Sequence, residues 1–100
     1  VYPVVSYNNV PIIYSLGSFI GDTDLYVGKE SFIFEVKISN ENKIEEIDMT
    51  PIYVKDKSEV VLYGEYDSEK AEEILNQYNN WQVENELDSS IVNGTIKIKF

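Results

Sequence analysis

The chain has 100 residues, enough for one small domain, with 43% hydrophobic content and 13 aromatic side chains to fill a core. Eighteen acidic residues against eight lysines leave a net charge of −10 and an isoelectric point near 4.2. That field repels nucleic acid and anionic membrane, and the absence of cysteine and histidine removes disulfides, thiol chemistry and imidazole catalysis.

Eight tyrosines, many isoleucines and valines, and a single alanine lean the composition toward strands. Val1 to Ser6 reads as a short strand, Tyr7-Asn8-Asn9 as a turn whose asparagines tolerate left-handed geometry, and Val10 to Tyr14 as the returning strand. Pro11 to Asp22 is the most hydrophobic passage. Its Ile12-Ile13-Tyr14 run suits a central strand buried on both faces, entering the tight turn Ser15-Leu16-Gly17-Ser18 beside a site. Gly21 to Lys29 is polar and glycine-flanked, a surface loop. Asp22 and Asp24 within it suggest a calcium loop, but Tyr26 takes the third ligand position and no glutamate closes the loop. Solvated carboxylates account for it better.

Glu30 to Ser39 alternates, with Phe32, Phe34, Val36 and Ile38 on one side, as a half-buried antiparallel strand does. Asn40 to Lys43 is a turn, and Ile44 to Thr50 the partner strand. The step from Ile44 to Ile47 breaks alternation and predicts a bulge near Glu45-Glu46. Pro51 should end or edge that strand, with Ile52 to Val54 extended beyond it. Lys55 to Glu59 is a charged turn, Val60 to Tyr63 a brief strand, and Gly64 to Asp67 the approach to a helix. Asp67 or Ser68 can cap that helix, and Glu69, Glu72 and Glu73 complement its dipole. Ala71, Ile74, Leu75, Tyr78 and Trp81 form one apolar stripe, which favours core packing over a ligand-stacking role for Tyr78 and Trp81. The helix either frays at Asn79-Asn80 or runs on through Trp81 toward Leu87. Asp88 to Ser90 reads as a loop, Asn93-Gly94 as a hairpin turn, and Thr95 to Phe100 as a strand. Lys97 and Lys99 on the outer face of that strand would keep an exposed edge from pairing. Together these elements predict a one-domain α+β fold over residues 1–100: an antiparallel or mixed sheet with one amphipathic helix.

Tyr14-Ser15-Leu16-Gly17-Ser18-Phe19-Ile20, preceded by Asn9-Val10-Pro11-Ile12-Ile13, resembles the Gly-x-Pro-Ile-x-Tyr-Ser-Leu-Gly-Asn-Phe segment of capsule and poly-γ-glutamate biosynthesis proteins of the CapA/PgsA type. Those proteins are related to calcineurin-like metallophosphoesterases. Val1-Tyr2-Pro3-Val4 looks like the strand that in that family directly follows a Gly-His-x-His signature. The resemblance is specific over Val1 to Asp22 and a matter of pattern afterwards. It departs at Ser18, where the family usually has Asn. It implies that the chain is the C-terminal part of a longer bacterial protein, half of an α/β/β/α sandwich, at the cell surface or otherwise outside the cytoplasm. In that setting Ser15, Leu16, Gly17 and Ser18 would form the rim of an active site. The divalent metal would be held by histidines upstream of Val1.

No catalytic or metal-ligating residue is assigned within the chain itself. Ser15 and Ser18 have no histidine base, and a carboxylate pair drawn from 18 acids carries no signal. No stretch approaches the roughly 20 apolar residues of a membrane-spanning helix. A half-sandwich has a face meant for its other half, so the expected partner is the rest of the parent protein or a second copy. The isolated chain should dimerise or rearrange to cover that face. An independent acidic β-rich interaction module is the alternative reading.

Overall fold

A computed structural model of the chain describes residues 4–8, 10–13, 30–55 and 59–100. The Ser15 to Ser18 turn and the Asp22, Asp24 and Tyr26 stretch lie outside the described residues. The fold is α+β, as predicted. In chain order it runs β1 (Val5–Tyr7), β2 (Val10–Ile12), β3 (Glu30–Ile38), β4 (Ile44–Val54), β5 (Val60–Leu62), α1 (Tyr63–Tyr66), α2 (Ser68–Glu84), β6 (Asp88–Val92) and β7 (Thr95–Lys99).

The main sheet is antiparallel with strand order β3-β4-β7-β6, and β5 joins β4 beyond the end of β7. β4 is its centre. β3 flanks it along nearly its whole length, while Glu46 to Met49 pair with β7 and Ile52 to Val54 with β5. The expected bulge is present: Lys37 pairs with Glu46 but Ile38 pairs with Ile44, leaving Glu45 as the extra residue. Its carbonyl accepts from the Phe100 N–H at 2.9 Å, so the bulge also ties down the end of β7.

Pro51 neither ends nor edges the strand. It is buried opposite Phe32, and the other flank of β4 has no register partner at Thr50 or Pro51. A proline is tolerated in a central strand where the ladder on one flank is interrupted. Two further expectations are corrected. Asp88 to Ser90 belongs to β6, because pairing with β7 overrides the weak strand preference of Asp and Ser. β7 in turn is an interior strand between β4 and β6 rather than an exposed edge.

The passage expected as a central strand also behaves differently. Val10, Pro11 and Ile12 form half of a separate two-stranded sheet, with Tyr7 in the strand opposite Val10 instead of in the turn. Asn8 takes φ 52°, the left-handed geometry expected of it. The hairpin is held to the body at Val4, which is fully buried and whose N–H donates to Gln82 Oε1 at 3.1 Å.

The helix α2 covers one face of the sheet. Asp67 caps it, accepting from the Lys70 N–H at 3.1 Å. It runs through Asn79-Asn80 to Glu84, the longer of the two expected ends. There Glu86 takes φ 64° while Leu87 N–H reaches Gln82 carbonyl at 3.0 Å, closing the last turn with a non-glycine residue. Its stripe of Ala71, Ile74 and Leu75 packs on Phe32, Ile47, Met49, Ile96 and Ile98. Tyr78 meets Phe32 edge-on at 4.8 Å and packs against the core as the stripe predicted, while Trp81, half-buried, meets Tyr78 at 5.0 Å. Replacing Asp67 with Ala should remove one charge-assisted cap bond and cost about 1 kcal/mol in urea unfolding, whereas Asp67→Asn should cost less than half of that.

Candidate functional site

Period-2 alternation sends Ile47, Met49, Pro51 and Tyr53 of β4 toward α2, and Glu46, Asp48, Thr50 and Ile52 to the opposite face. Among the described elements no helix covers that second face. Four charged side chains converge on it from three strands. Lys37 Nζ lies 2.7 Å from Glu46 Oε2 and 3.5 Å from Asp48 Oδ2. Lys97 Nζ lies 3.0 Å from Asp48 Oδ2 and 3.6 Å from Glu46 Oε2. Each carboxylate thus meets both ammoniums, and the network is balanced within itself.

Asp48 is only 6% exposed, the most buried carboxylate among the described residues. Burial works to raise its pKa. The Lys97 hydrogen bond, with Glu46 and the charges of both lysines behind it, outweighs that and holds the carboxyl below its ordinary 3.8. The Glu46 hydrogen bond in turn raises Lys37. Asp48 Oδ1 is buried without a partner, as is Gln82 Nε2 at the hairpin anchor.

Beside the network lies a hollow of about 420 Å³, walled by Ile33, Leu62 and Val92 with Thr50, Thr95 and Lys97 along its floor. Thr50 and Thr95 share a hydroxyl–hydroxyl bond of 3.1 Å. The three apolar walls are 42–47% exposed. A larger cleft of about 1050 Å³ separates the β1–β2 hairpin from the β3–β4 turn, lined by Val10, Pro11, Ile44 and Phe100 with asparagines at its rim.

A third grouping lies at the other end of β4. Tyr53 and Tyr66 stack at 4.1 Å with rings 10° apart, and Tyr63 meets both edge-on. The Tyr63 hydroxyl donates to Glu30 Oε1 at 3.4 Å. Burial first, then the Glu30 charge, pushes its pKa up to about 12. Such a phenol stays protonated through the physiological range, which makes it a packing group and not a base.

The resemblance places its divalent metal on histidines upstream of Val1, outside this chain. No group of three or more metal-ligating side chains occurs among the described residues. Glu46 and Asp48 sit side by side, but each already holds two ammoniums that a cation would have to displace. The predicted rim residues Ser15, Leu16, Gly17 and Ser18 lie outside the described residues. The sequence does carry part of the signal for the network. Glu46 and Asp48 alternate with Ile47 and Met49, and Lys97 with Ile96 and Ile98. That the two stripes face each other depends on β4–β7 pairing across 49 residues, which local pattern does not reveal.

The fold and the site define an α+β domain whose long helix packs on one face of the sheet and whose buried charges on the other are compensated among themselves. No family model, no curated protein and no solved structure matches the chain. Among the described residues no helix is long and apolar enough to cross a membrane.

Proposed function

We propose that the chain is a structural, non-catalytic C-terminal segment of a bacterial capsule or poly-γ-glutamate biosynthesis protein, working outside the cytoplasm. The observation that carries the non-catalytic part is the Lys37–Glu46–Lys97–Asp48 network. A general acid needs a carboxyl raised toward neutrality; Asp48 is shifted the other way and engaged by two lysines. Support for the family comes from the Tyr14 to Ile20 wording and from a sheet whose second face no described helix covers, as a layer meant for another layer would have it. Reading the coding sequence immediately upstream of Val1 tests it. A Gly-His-x-His followed directly by this chain is expected; an in-frame stop or an unrelated domain there sinks the proposal.

A second reading, an acidic interaction module, is favoured by a specific observation. Ile33, Leu62 and Val92 stand exposed around one hollow on a face that no described helix covers. Under that reading the open face is a docking surface, whichever protein the chain belongs to.

A further inference from the structure

The two-residue turn Asn93-Gly94 joins β6 to β7, with φ of 48° and 76° and Val92 paired to Thr95 across it. Both residues are exposed. Of the nine asparagines in the sequence, Asn93 alone precedes a glycine. The main-chain nitrogen that follows it therefore has no side chain beside it. No atom beyond the neighbouring residues lies within 4 Å of the point where a Gly94 Cβ would sit, so nothing else crowds that nitrogen. Among the described residues no hydrogen bond holds the Asn93 amide. Other asparagines are placed differently. Asn76, Asn79 and Asn80 are held within α2, and the Asn85 amide donates to the Trp81 carbonyl at 2.7 Å.

We infer that Asn93 is a site of spontaneous deamidation, and that its isoaspartate product unlocks β6 from the sheet. The Gly94 nitrogen attacks Cγ of Asn93. The new C–N bond closes a five-membered succinimide as the bond from Cγ to the side-chain nitrogen breaks, and ammonia leaves with the proton of the Gly94 amide. Water then adds to either ring carbonyl. Opening at Cγ restores a normal main chain with aspartate at position 93. Opening at the main-chain carbonyl leaves isoaspartate, whose main chain runs through the former side chain. Water is the only co-reactant, and no oxidation state changes.

The two products differ in what they do to the hairpin. Either one adds a negative charge at the edge of the hollow, where Lys97, already engaged by Asp48 and Glu46, is the one cation among the lining residues. Only isoaspartate lengthens the turn, by a single main-chain carbon. A two-residue loop fixes the register of the strands it joins, and the extra bond breaks that relation. β6 depends on it, because Asp88, Ser89 and Ser90 have little strand preference and β7 is its strand partner among the described residues. β7 keeps β4, and Ile96 and Ile98 stay fully buried in the cluster that includes α2. The disruption should therefore stop at β7. The Ser89 hydroxyl bond to Asn79 Oδ1 should go with β6.

Peptide mapping by mass spectrometry on the folded 100-residue chain, held in mildly alkaline buffer, tests the first step. Asn93 should convert to acid several-fold faster than any other asparagine, with isoaspartate the larger product. Asn93→Gly keeps a turn-compatible pair and has no amide to lose, so it should show no conversion at this position. An Asn93 that stays amidated in the folded chain while a free peptide of the same segment converts overturns the inference, as does faster conversion at another asparagine. Hydrogen exchange on the separated isoaspartate form tests the second step. Amides of Asp88 to Val92 should lose protection while those of Ile96 and Ile98 keep it. Freshly prepared Asn93→Asp, which has the charge but a normal main chain, should resemble the wild type. Unchanged protection of β6 in the isoaspartate form, or an equal loss in Asn93→Asp, overturns its release by the lengthened turn.

Discussion

Ile47→Ala is expected to cost about 3 kcal/mol. Ile47 is 1% exposed, at the centre of β4, with Val36 opposite on β3 and Ile98 opposite on β7. Its side chain belongs to the cluster that joins the sheet to Ala71, Ile74 and Leu75 of α2. Truncation deletes three carbons from a site enclosed by two strands and a helix, where collapse around the gap is restricted. A 100-residue domain has only about 5–15 kcal/mol in total, so a substantial fraction of stability should go. Urea unfolding followed by circular dichroism should show the midpoint falling by more than about 1 M with the slope unchanged. Val36→Ala serves as control, since Val36 lies on the same face but 43% exposed; its cost should stay under about 1 kcal/mol. Equal losses at the two positions would mean that the core is not centred on β4.

That contrast between Ile47 and Val36 also marks how far the sequence could be read. Alternation placed Phe32, Phe34, Val36 and Ile38 on one face correctly, yet only Phe32 is buried and Ile38 is 63% exposed. Periodicity assigns a face. It does not say where the covering helix stops. The helix itself was legible because its stripe, its Asp67 cap and its acidic first turn all agree, and the Asn93-Gly94 turn because φ of 48° and 76° is what those residue types allow. The bulge was legible for a related reason: a one-residue slip between Ile44 and Ile47 has to be absorbed somewhere.

What escaped was whatever depends on distant pairing. Asp88, Ser89 and Ser90 have no strand signal of their own and become β6 by lying beside β7, with the Ser89 hydroxyl donating to Asn79 Oδ1 at 2.6 Å. Pro51 looked like a terminus because nothing local says that one flank of β4 carries no ladder there. The hydrophobic run at Ile12 suggested a central strand. The centre of the sheet is instead β4, whose interspersed Glu46 and Asp48 disguise it as half-solvated. Those acids are inside because lysines from β3 and β7 come to meet them.

Removing one of those lysines should therefore do more than a surface substitution. Lys97→Met takes away the shortest contact to Asp48, at 3.0 Å, while leaving an aliphatic stem of similar length in the sheet. Asp48 keeps Lys37 at 3.5 Å, so its burial is only partly compensated, and a loss of about 2 kcal/mol at neutral pH is expected. The pH dependence has a definite sign. The folded pKa of Asp48 lies below its ordinary value, so the fold binds this proton less readily than the unfolded chain does. Its stabilising contribution is then complete above about pH 4 and is lost as pH falls through the folded pKa. Without Lys97 the burial that works to raise the group is opposed less, the folded pKa climbs, and the acid-unfolding midpoint should move to higher pH. Adding Asp48→Val to Lys97→Met removes the stranded carboxylate and places a β-branched residue at a central strand position. The double variant should recover most of the loss, because replacing a buried ion pair by apolar groups is often neutral or better, and its stability should fall less steeply than the wild type's below about pH 4. Additive losses in the double variant would mean that Lys97 and Asp48 do not act as a pair. An unchanged acid midpoint in Lys97→Met would mean that Lys37 and Glu46 alone set the ionisation of Asp48.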